Sequence, residues 1–289
     1  MKKRTILITG ASSGIGKETA LTLAKEGHRL IIHGRDEVRT KQVYDEIVAT
    51  GHTDVIMLTA DFSLMSEVAK FAEQIKEKVD HIDVLYNNAG GQFGEKREVT
   101  DEGHEKTFAI NMLAPFLLTK LLLPLLKKGN SSRVVTQSSE CYRMSEPILD
   151  DIELENHYTF GKAYDLSKLY VWWIMREFHE TAKREGIDNI TFNTVEPGTA
   201  LATDLGRVSK YIPEMQEMIK QYEAYSWSIS EAAATGLYLI TSVEVEGVSG
   251  KFYGNGQEKE IAEKWFSEEG QKIIWNYCTK ACEKYLNIK

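Results

Sequence analysis

Cysteine is scarce: Cys141, Cys278 and Cys282 are the only three in 289 residues. Three cannot all pair within the chain, and their spacing matches no disulfide framework. The fold is therefore expected to stand without cross-links, in a reducing compartment, with the cytoplasm as default location. Cys278 and Cys282 stand four apart with no His or other Cys close by in sequence, so no metal site is expected. Positive charge is also in deficit, with 35 Lys and Arg against 43 Asp and Glu, a net charge of −8. A nucleic-acid binder normally carries a basic face, so nucleic acid is excluded as the expected partner.

Long hydrophobic runs are missing as well. The apolar run Thr5–Thr9 that follows the basic start is far too short for a signal peptide and ends at a glycine. The greasiest later stretch, Leu113–Leu126, is interrupted by Pro115, Lys120 and Pro124. It falls short of the roughly 20 residues that cross a bilayer, and no membrane span is expected. Sequence repeats, low-complexity tracts and long linkers are absent too, which points to one domain over 1–289. Asn130 and Asn189 begin glycosylation patterns that carry no meaning in a cytosolic chain.

What is present is an ordinary globular composition, 42% hydrophobic and 27% charged, enough for a sizeable core. Short apolar runs rich in Ile, Val and Leu predict buried strands over Thr5–Thr9, Arg29–His33, Asp54–Thr59, Ile82–Tyr86, Arg133–Gln137 and Asn189–Val195. Helical spacing fills the intervals at Gly14–Glu26, Glu37–Ala49, Ser63–Val79, Glu102–Lys127 and Phe160–Glu185. This alternation implies right-handed crossovers and a single doubly wound parallel sheet of the α/β class, with helices on both faces. Further on come a helix over Ser230–Ser242, a short seventh strand at Lys251–Tyr253 and a terminal helical region over Glu258–Leu286. The amphipathic, aromatic-bearing insert around 206–227 should lie near the carboxyl ends of the strands, where open sheets bind ligands, and reads as a substrate lid or a surface helix.

The turn after the first strand holds the first chemical signal. It runs Thr9, Gly10, Ala11, Ser12, Ser13, Gly14, Ile15, Gly16. Glycines there permit a tight turn and bring backbone N–H groups at a helix start against a pyrophosphate. Further signals are Asn87-Asn88-Ala89-Gly90 after the fourth strand, Tyr164-Asp165-Leu166-Ser167-Lys168 on a helix, and Pro197-Gly198 after the sixth strand.

Together, in this order, these motifs resemble the short-chain dehydrogenase/reductase family, across roughly residues 4 to 255. Gly14–Ala20 and Leu237–Lys251 resemble its retinol-dehydrogenase-like branch. The resemblance implies a Rossmann-type fold of about seven strands and hydride transfer between a nicotinamide cofactor and a small carbonyl or alcohol substrate. It implies dinucleotide contacts from Gly10, Ser12, Ser13, Gly14, Ile15, Gly16, Asn88, Ala89 and Gly90, and from Pro197, Gly198 and Thr199 toward the nicotinamide. Thr203 competes with Thr199 for that last role. Asp61 is implied to hold the adenine amino group and Phe62 to supply a backbone N–H; Asp61 equally suits a helix cap. A homodimer or homotetramer through the two long helices follows from family habit, although Leu117, Leu121, Trp172 and Trp173 are as well explained by burial within the chain.

For the cofactor, Gly34 stands where an NAD-selecting acid is expected, and Arg35 follows, with Lys17 near by. Arginine grips a phosphate that an acid repels, so NADP(H) is favoured. Asp36, one residue on, keeps NAD(H) open as the alternative.

Tyr164 and Lys168, four apart on a helix, project from one face. A neighbouring ammonium is expected to lower the phenol's proton affinity from its usual value near ~10 and fit it for proton transfer. The resemblance adds Lys168 on the nicotinamide ribose, Ser139 stabilising charge on the substrate oxygen with Ser138 as its rival, and Asn111 holding a water of a proton relay. His157, Tyr158 and Cys141 in the long 140–159 interval have no assigned role, and loop packing accounts for them. Two other readings remain, an NADP(H) sensor without turnover and a scaffold. The first tends to lack one of Asn111, Ser139, Tyr164 and Lys168; the second needs no glycine-rich turn beside a Tyr/Lys pair.

Overall fold

The computed structural model describes residues 3–203, 205 and 211–286. It alternates strand and helix from the start: β1 Thr5–Ile8, α1 Gly14–Lys25, β2 Arg29–Gly34, α2 Glu37–Ala49, β3 Val55–Thr59, α3 Met65–Lys78 and β4 Val84–Asn87. There follow a helical run from Lys106 to Leu126, then β5 Ser132–Gln137, α6 Phe160–Arg184 and β6 Ile190–Glu196. The strands lie in the order 3-2-1-4-5-6-7-8, with β7 at Phe252–Gly254 and β8 at Gln257–Glu258. Seven strands are parallel, as expected. The eighth, a two-residue hairpin partner of β7, runs antiparallel and overlaps the region read as helical only at that region's first residue, Glu258.

β1 pairs with β2 on one side, Leu7 opposite Ile31, and with β4 on the other, Leu7 opposite Leu85. The winding direction reverses at this seam, which opens a crevice at the carboxyl ends of β1 and β4. One apolar cluster packs α3, the 106–126 run and α6 on one face; the other packs α1, α2 and a later helix, α8 (Ile229–Thr241), on the opposite face.

The helix predicted over 102–127 is not uniform. It starts at α4 (Lys106–Phe108) because Glu102 and Glu105 serve as caps. Glu102 accepts the Met65 and Ser66 N–H groups of α3, and Glu105 accepts the Phe108 N–H. A π-turn over Ala109–Leu113 separates α4 from α5 (Ala114–Leu126). Such one-turn widenings occur often at functional sites, and Asn111 stands in its middle. The 21-residue run is long and apolar enough to cross a membrane, longer than the interrupted stretch read from the sequence, but most of it is buried inside the fold.

A helix α7 (Pro213–Tyr222) carries the insert, and α9 (Glu268–Ala281) with α10 (Glu283–Leu286) closes the described chain. Part of the predicted lid, 206–210, lies outside the described residues. Trp275 of α9 stands edge-on to Phe116 of α5 and Phe178 of α6, at 5.2 and 4.9 Å between ring centres. Trp173 of α6 is buried and donates its indole N–H to Trp265 O. Leu117 and Trp172 are buried too, so the chain itself explains these apolar side chains. Each such burial contributes roughly 2–3 kcal/mol.

Candidate active site

The seam holds a cleft of about 1130 Å³. Its phosphate end grows from the Gly10 turn. Gly10 adopts φ +68°, and a Cβ there would stand 2.8 Å from Ala89 Cα; a Cβ at Gly16 would stand 2.3 Å from Gly10 O. Neither position admits a side chain. Asn88 ties the two turns together, donating to Thr9 O at 2.9 Å, while Thr9 Oγ1 accepts the Asn88 and Ala89 N–H groups at 3.0 Å.

The helix starts divide sharply. α2, α6, α8 and α9 are capped by Asp36, Thr159, Ser228 and Ser267, and α3 by the Glu102 carboxylate. α1 has no side-chain cap at Ser13 and no acid in its first turn. Its leading N–H groups point into the cleft between two turns shaped by glycine, an arrangement suited to an anion.

Beyond β2, the chain settles the question of position 34. A Cβ at Gly34 would lie 2.2 Å from Thr40 Oγ1, so no acid fits there. Asp36 is engaged as the α2 cap, its Oδ1 accepting the Arg39 N–H at 3.0 Å. Arg35 and Arg39 both line the cleft beside Ser12 and Ser13. Lys17 does not join them: it turns away to pair with Glu46 at 2.7 Å, which corrects its expected contribution.

His33, which sequence reasoning passed over, sits under this end. It is buried, stacks on Phe62 with ring centres 3.9 Å apart, and receives the Gly10 N–H on Nδ1 at 3.3 Å. Its Nε2 lies 3.1 Å from Ala60 O and so carries the proton. Burial pushes its proton affinity down to about 4, which keeps the ring neutral. Asp61 and Phe62 line the cleft, and Asp61 Oδ1 also accepts the Ser63 N–H, so the turn-capping reading holds beside the other.

At the far end Tyr164, Lys168 and Ser139 meet. The Lys168 Nζ lies 5.6 Å from the centre of the Tyr164 ring and donates to Gln137 O at 3.1 Å. A side-chain hydrogen bond joins Ser139 to Tyr164. The Ser138 hydroxyl donates to Lys168 O at 2.8 Å and Ser139 Oγ accepts the Cys141 N–H at 3.2 Å, and both serines line the cleft. Asn111 lines no part of the cleft. It lies buried behind it, exchanging hydrogen bonds with the Gly91 backbone at 2.9 Å and donating to Ser167 at 3.0 Å.

The expected lowering of the Tyr164 proton affinity is overturned in this state. Burial raises it well above the ordinary phenol range, more strongly than the Ser139 hydrogen bond lowers it. The same burial brings Lys168 down to about 8, so the lysine is poised to give up its proton near neutral pH. Desolvation outweighs the pairwise attraction because both groups lie under the cleft floor.

Pro197, Gly198 and Thr199 face the cleft, and so does Thr203, which keeps both threonines in place for one role. The turn is held by Glu196, which accepts the Gly198 N–H at 2.7 Å, and Trp227 donates its backbone N–H to Thr199 O. His157 and Tyr158 serve the loop, His157 on Asp151 and Tyr158 on Gly94 O, whereas Cys141 reaches the cleft. Asp165, Arg39, Glu196 and Lys259 also belong to the site or its walls. Only Asp165, inside the Tyr/Lys spacing, had a sequence signal that would have found it.

The short chain dehydrogenase family model matches residues 4–210. Human retinol dehydrogenase 14 is 33% identical over 294 aligned residues, covering 96% of this chain and 85% of that protein. A solved chain from Mycobacterium paratuberculosis, 25% identical, superposes with TM-score 0.75 over 97% of this chain and 93% of its own. Another, described as a short chain dehydrogenase from Escherichia coli CFT073 complexed with NADPH, is 22% identical with TM-score 0.68, over 89% of this chain and 98% of its own.

Proposed function

The chain belongs to the short-chain dehydrogenase family, and from that premise we propose that it is an NADP(H)-dependent oxidoreductase interconverting a carbonyl and an alcohol on a small to medium, largely hydrophobic molecule. The observation that carries the reading is the meeting of Tyr164, Ser139 and Lys168 at one end of a cleft whose other end presents an uncapped helix and Arg35.

The residues fit a dinucleotide. The side-chain-free cradle at Gly10 and Gly16 and the leading N–H groups of α1 suit a pyrophosphate. Arg35, with Gly34 closed to an acid and Asp36 engaged as a cap, suits a 2′-phosphate, although NAD(H) is the alternative. When bound, the nicotinamide supplies or accepts the hydride.

Tyr164 then delivers a proton to the substrate oxygen, and the Ser139 hydroxyl stabilises charge gathering there. Lys168, with its proton loosely held, resupplies the phenol and reaches the ribose. Asn111 acts from behind: its side chain fixes the Gly91 backbone and stands in the π-turn, where it would hold the relay water. Phe93, Met144, Phe160 and Met215 give the substrate end its apolar wall. The same proposal takes 1–289 as one nucleotide-binding unit in the cytoplasm, with α7 as the described part of the lid. Because α9 covers α5 and α6, a homodimer or homotetramer would form through another surface.

The test is the affinity for NADPH and NADH, followed by quenching of tryptophan fluorescence. Tighter binding of NADPH supports the assignment of the phosphate end; binding of neither cofactor overturns the proposal.

A further inference from the structure

The cleft wall beside the catalytic tyrosine carries a carboxylate without a cation. Asp165 follows Tyr164 in α6, lines the same cleft and is half-buried. Its Oδ2 accepts one hydrogen bond, from Ser145 Oγ at 2.8 Å, and among the described residues no Lys, Arg or His pairs with it.

The fold does not account for the placement. Asp165 is the sixth residue of α6, past the first turn in which free N–H groups and the helix dipole favour a carboxylate, and Thr159 already caps that helix. Sinking a carboxylate into a wall with one neutral donor costs free energy that a cation or a second donor would offset. The cost is visible in its proton affinity, which burial raises to about 6.

The other charges of this wall are already matched. Glu140 is held by Lys259 at 2.8 Å and Arg143 at 2.5 Å, Glu196 by Lys259 at 2.9 Å, and Lys168 by Gln137 O. The second carboxylate oxygen of Asp165 accepts no hydrogen bond among the described residues, on a cleft wall that also carries Met144 and Phe160.

We propose that Asp165 is a substrate-recognition residue, receiving a hydrogen-bond donor, hydroxyl or ammonium, that the carbonyl substrate bears a few atoms from its reacting carbon. The inference rests on the reductase reading above and sharpens its substrate class: an apolar body with one donor group, rather than a plain hydrocarbon ketone.

The test uses the whole chain with NADPH and six acetophenones carrying ethyl, hydroxymethyl or aminomethyl at the meta or para position, near-isosteric groups that differ in donor and charge. In the wild type, a donor-bearing ketone should exceed its ethyl counterpart by about tenfold or more in kcat/KM at one ring position, since a site built around a polar partner rejects the analogue lacking it. The aminomethyl ketone should also raise the melting temperature more than the ethyl one. Asp165→Asn should abolish the aminomethyl advantage over the ethyl ketone in kcat/KM, the ratio being read within the variant. Ser145→Ala, which leaves the carboxylate in place, should keep the preference and makes the result independent of how well the Asn variant folds. Ethyl ketones preferred at both positions, or an aminomethyl preference unchanged by Asp165→Asn, overturns the inference. Turnover of none of the six by the wild type overturns the reductase reading itself, and this inference with it.

Discussion

Lys259 reaches Glu196 across 2.9 Å, and so fastens the β7–β8 hairpin to the Pro197–Thr199 turn that faces the cleft. Glu196 is almost fully buried and spends its other oxygen on the Gly198 N–H. The same ammonium holds Glu140, the residue after Ser139. One lysine thus ties two walls of the cleft. Lys259→Met should lower stability by about 1–3 kcal/mol and weaken NADPH binding about tenfold, because a buried carboxylate loses its partner and the turn its anchor. Lys259→Arg should recover most of the affinity. Fluorescence titration of the three proteins checks this.

Cofactor choice should turn on Arg35. Arg35→Asp is expected to weaken NADPH by ten- to a hundredfold, about 1.5–3 kcal/mol for a lost charged hydrogen bond, and to leave NADH within about threefold. Gly34→Asp should instead unfold the β2–α2 corner, since its Cβ would collide with Thr40. A ratio of NADPH to NADH affinity unchanged in Arg35→Asp would contradict the assignment.

On the proposed mechanism, Tyr164→Phe removes the proton donor and little else. Turnover should fall by about 10² to 10⁴, the usual worth of a positioned acid, with NADPH affinity within about threefold. Stopped-flow measurement of the hydride step together with a binding titration separates the two. Wild-type turnover in this variant excludes the mechanism.

The buried His33 sets an acid limit. Its proton affinity falls from an ordinary 6.5 to about 4 on folding, so its contribution is whole above pH 6.5. On acidification from 6.5 toward 4 the unfolded chain takes up the proton first, and stability declines. His33→Phe keeps an aromatic ring against Phe62 but loses the bonds to Gly10 and Ala60. It should be less stable than wild type at pH 7, with a flatter loss between pH 6.5 and 4, as read by urea midpoints across that range.

The parts of the site that were legible in the sequence are those fixed by local geometry. Tyr164 and Lys168 share a helix face because four residues make about one turn, and the Gly10 turn follows from a strand meeting a helix start. Asn111 was found by its motif, but its buried position behind the cleft follows from a π-turn that no spacing rule announces. Lys17 looked like a phosphate ligand and turned to Glu46, because a surface lysine answers to whichever acid the next helix presents. Lys259 had no signal at all: its partners lie 63 and 119 residues away in sequence, and only the closing hairpin brings them together. The eighth strand was hidden for a similar reason, since two exposed residues carry no alternation to read.

The tyrosine and lysine ride on α6, a 25-residue helix most of whose side chains are buried. The 211–225 segment, which lends Met215, Gln221 and Tyr222 to the cleft lining, is largely the reverse: Tyr211, Tyr222 and Tyr225 are large aromatics left in contact with solvent. Substitutions there disturb little of the core, whereas those along α6 disturb both core and chemistry. The protein therefore separates what it does from what it does it to. Selection for a new substrate can rewrite the 211–225 segment at small cost in stability while the reaction stays fixed, so descendants of this sequence should diverge in appetite long before they diverge in mechanism.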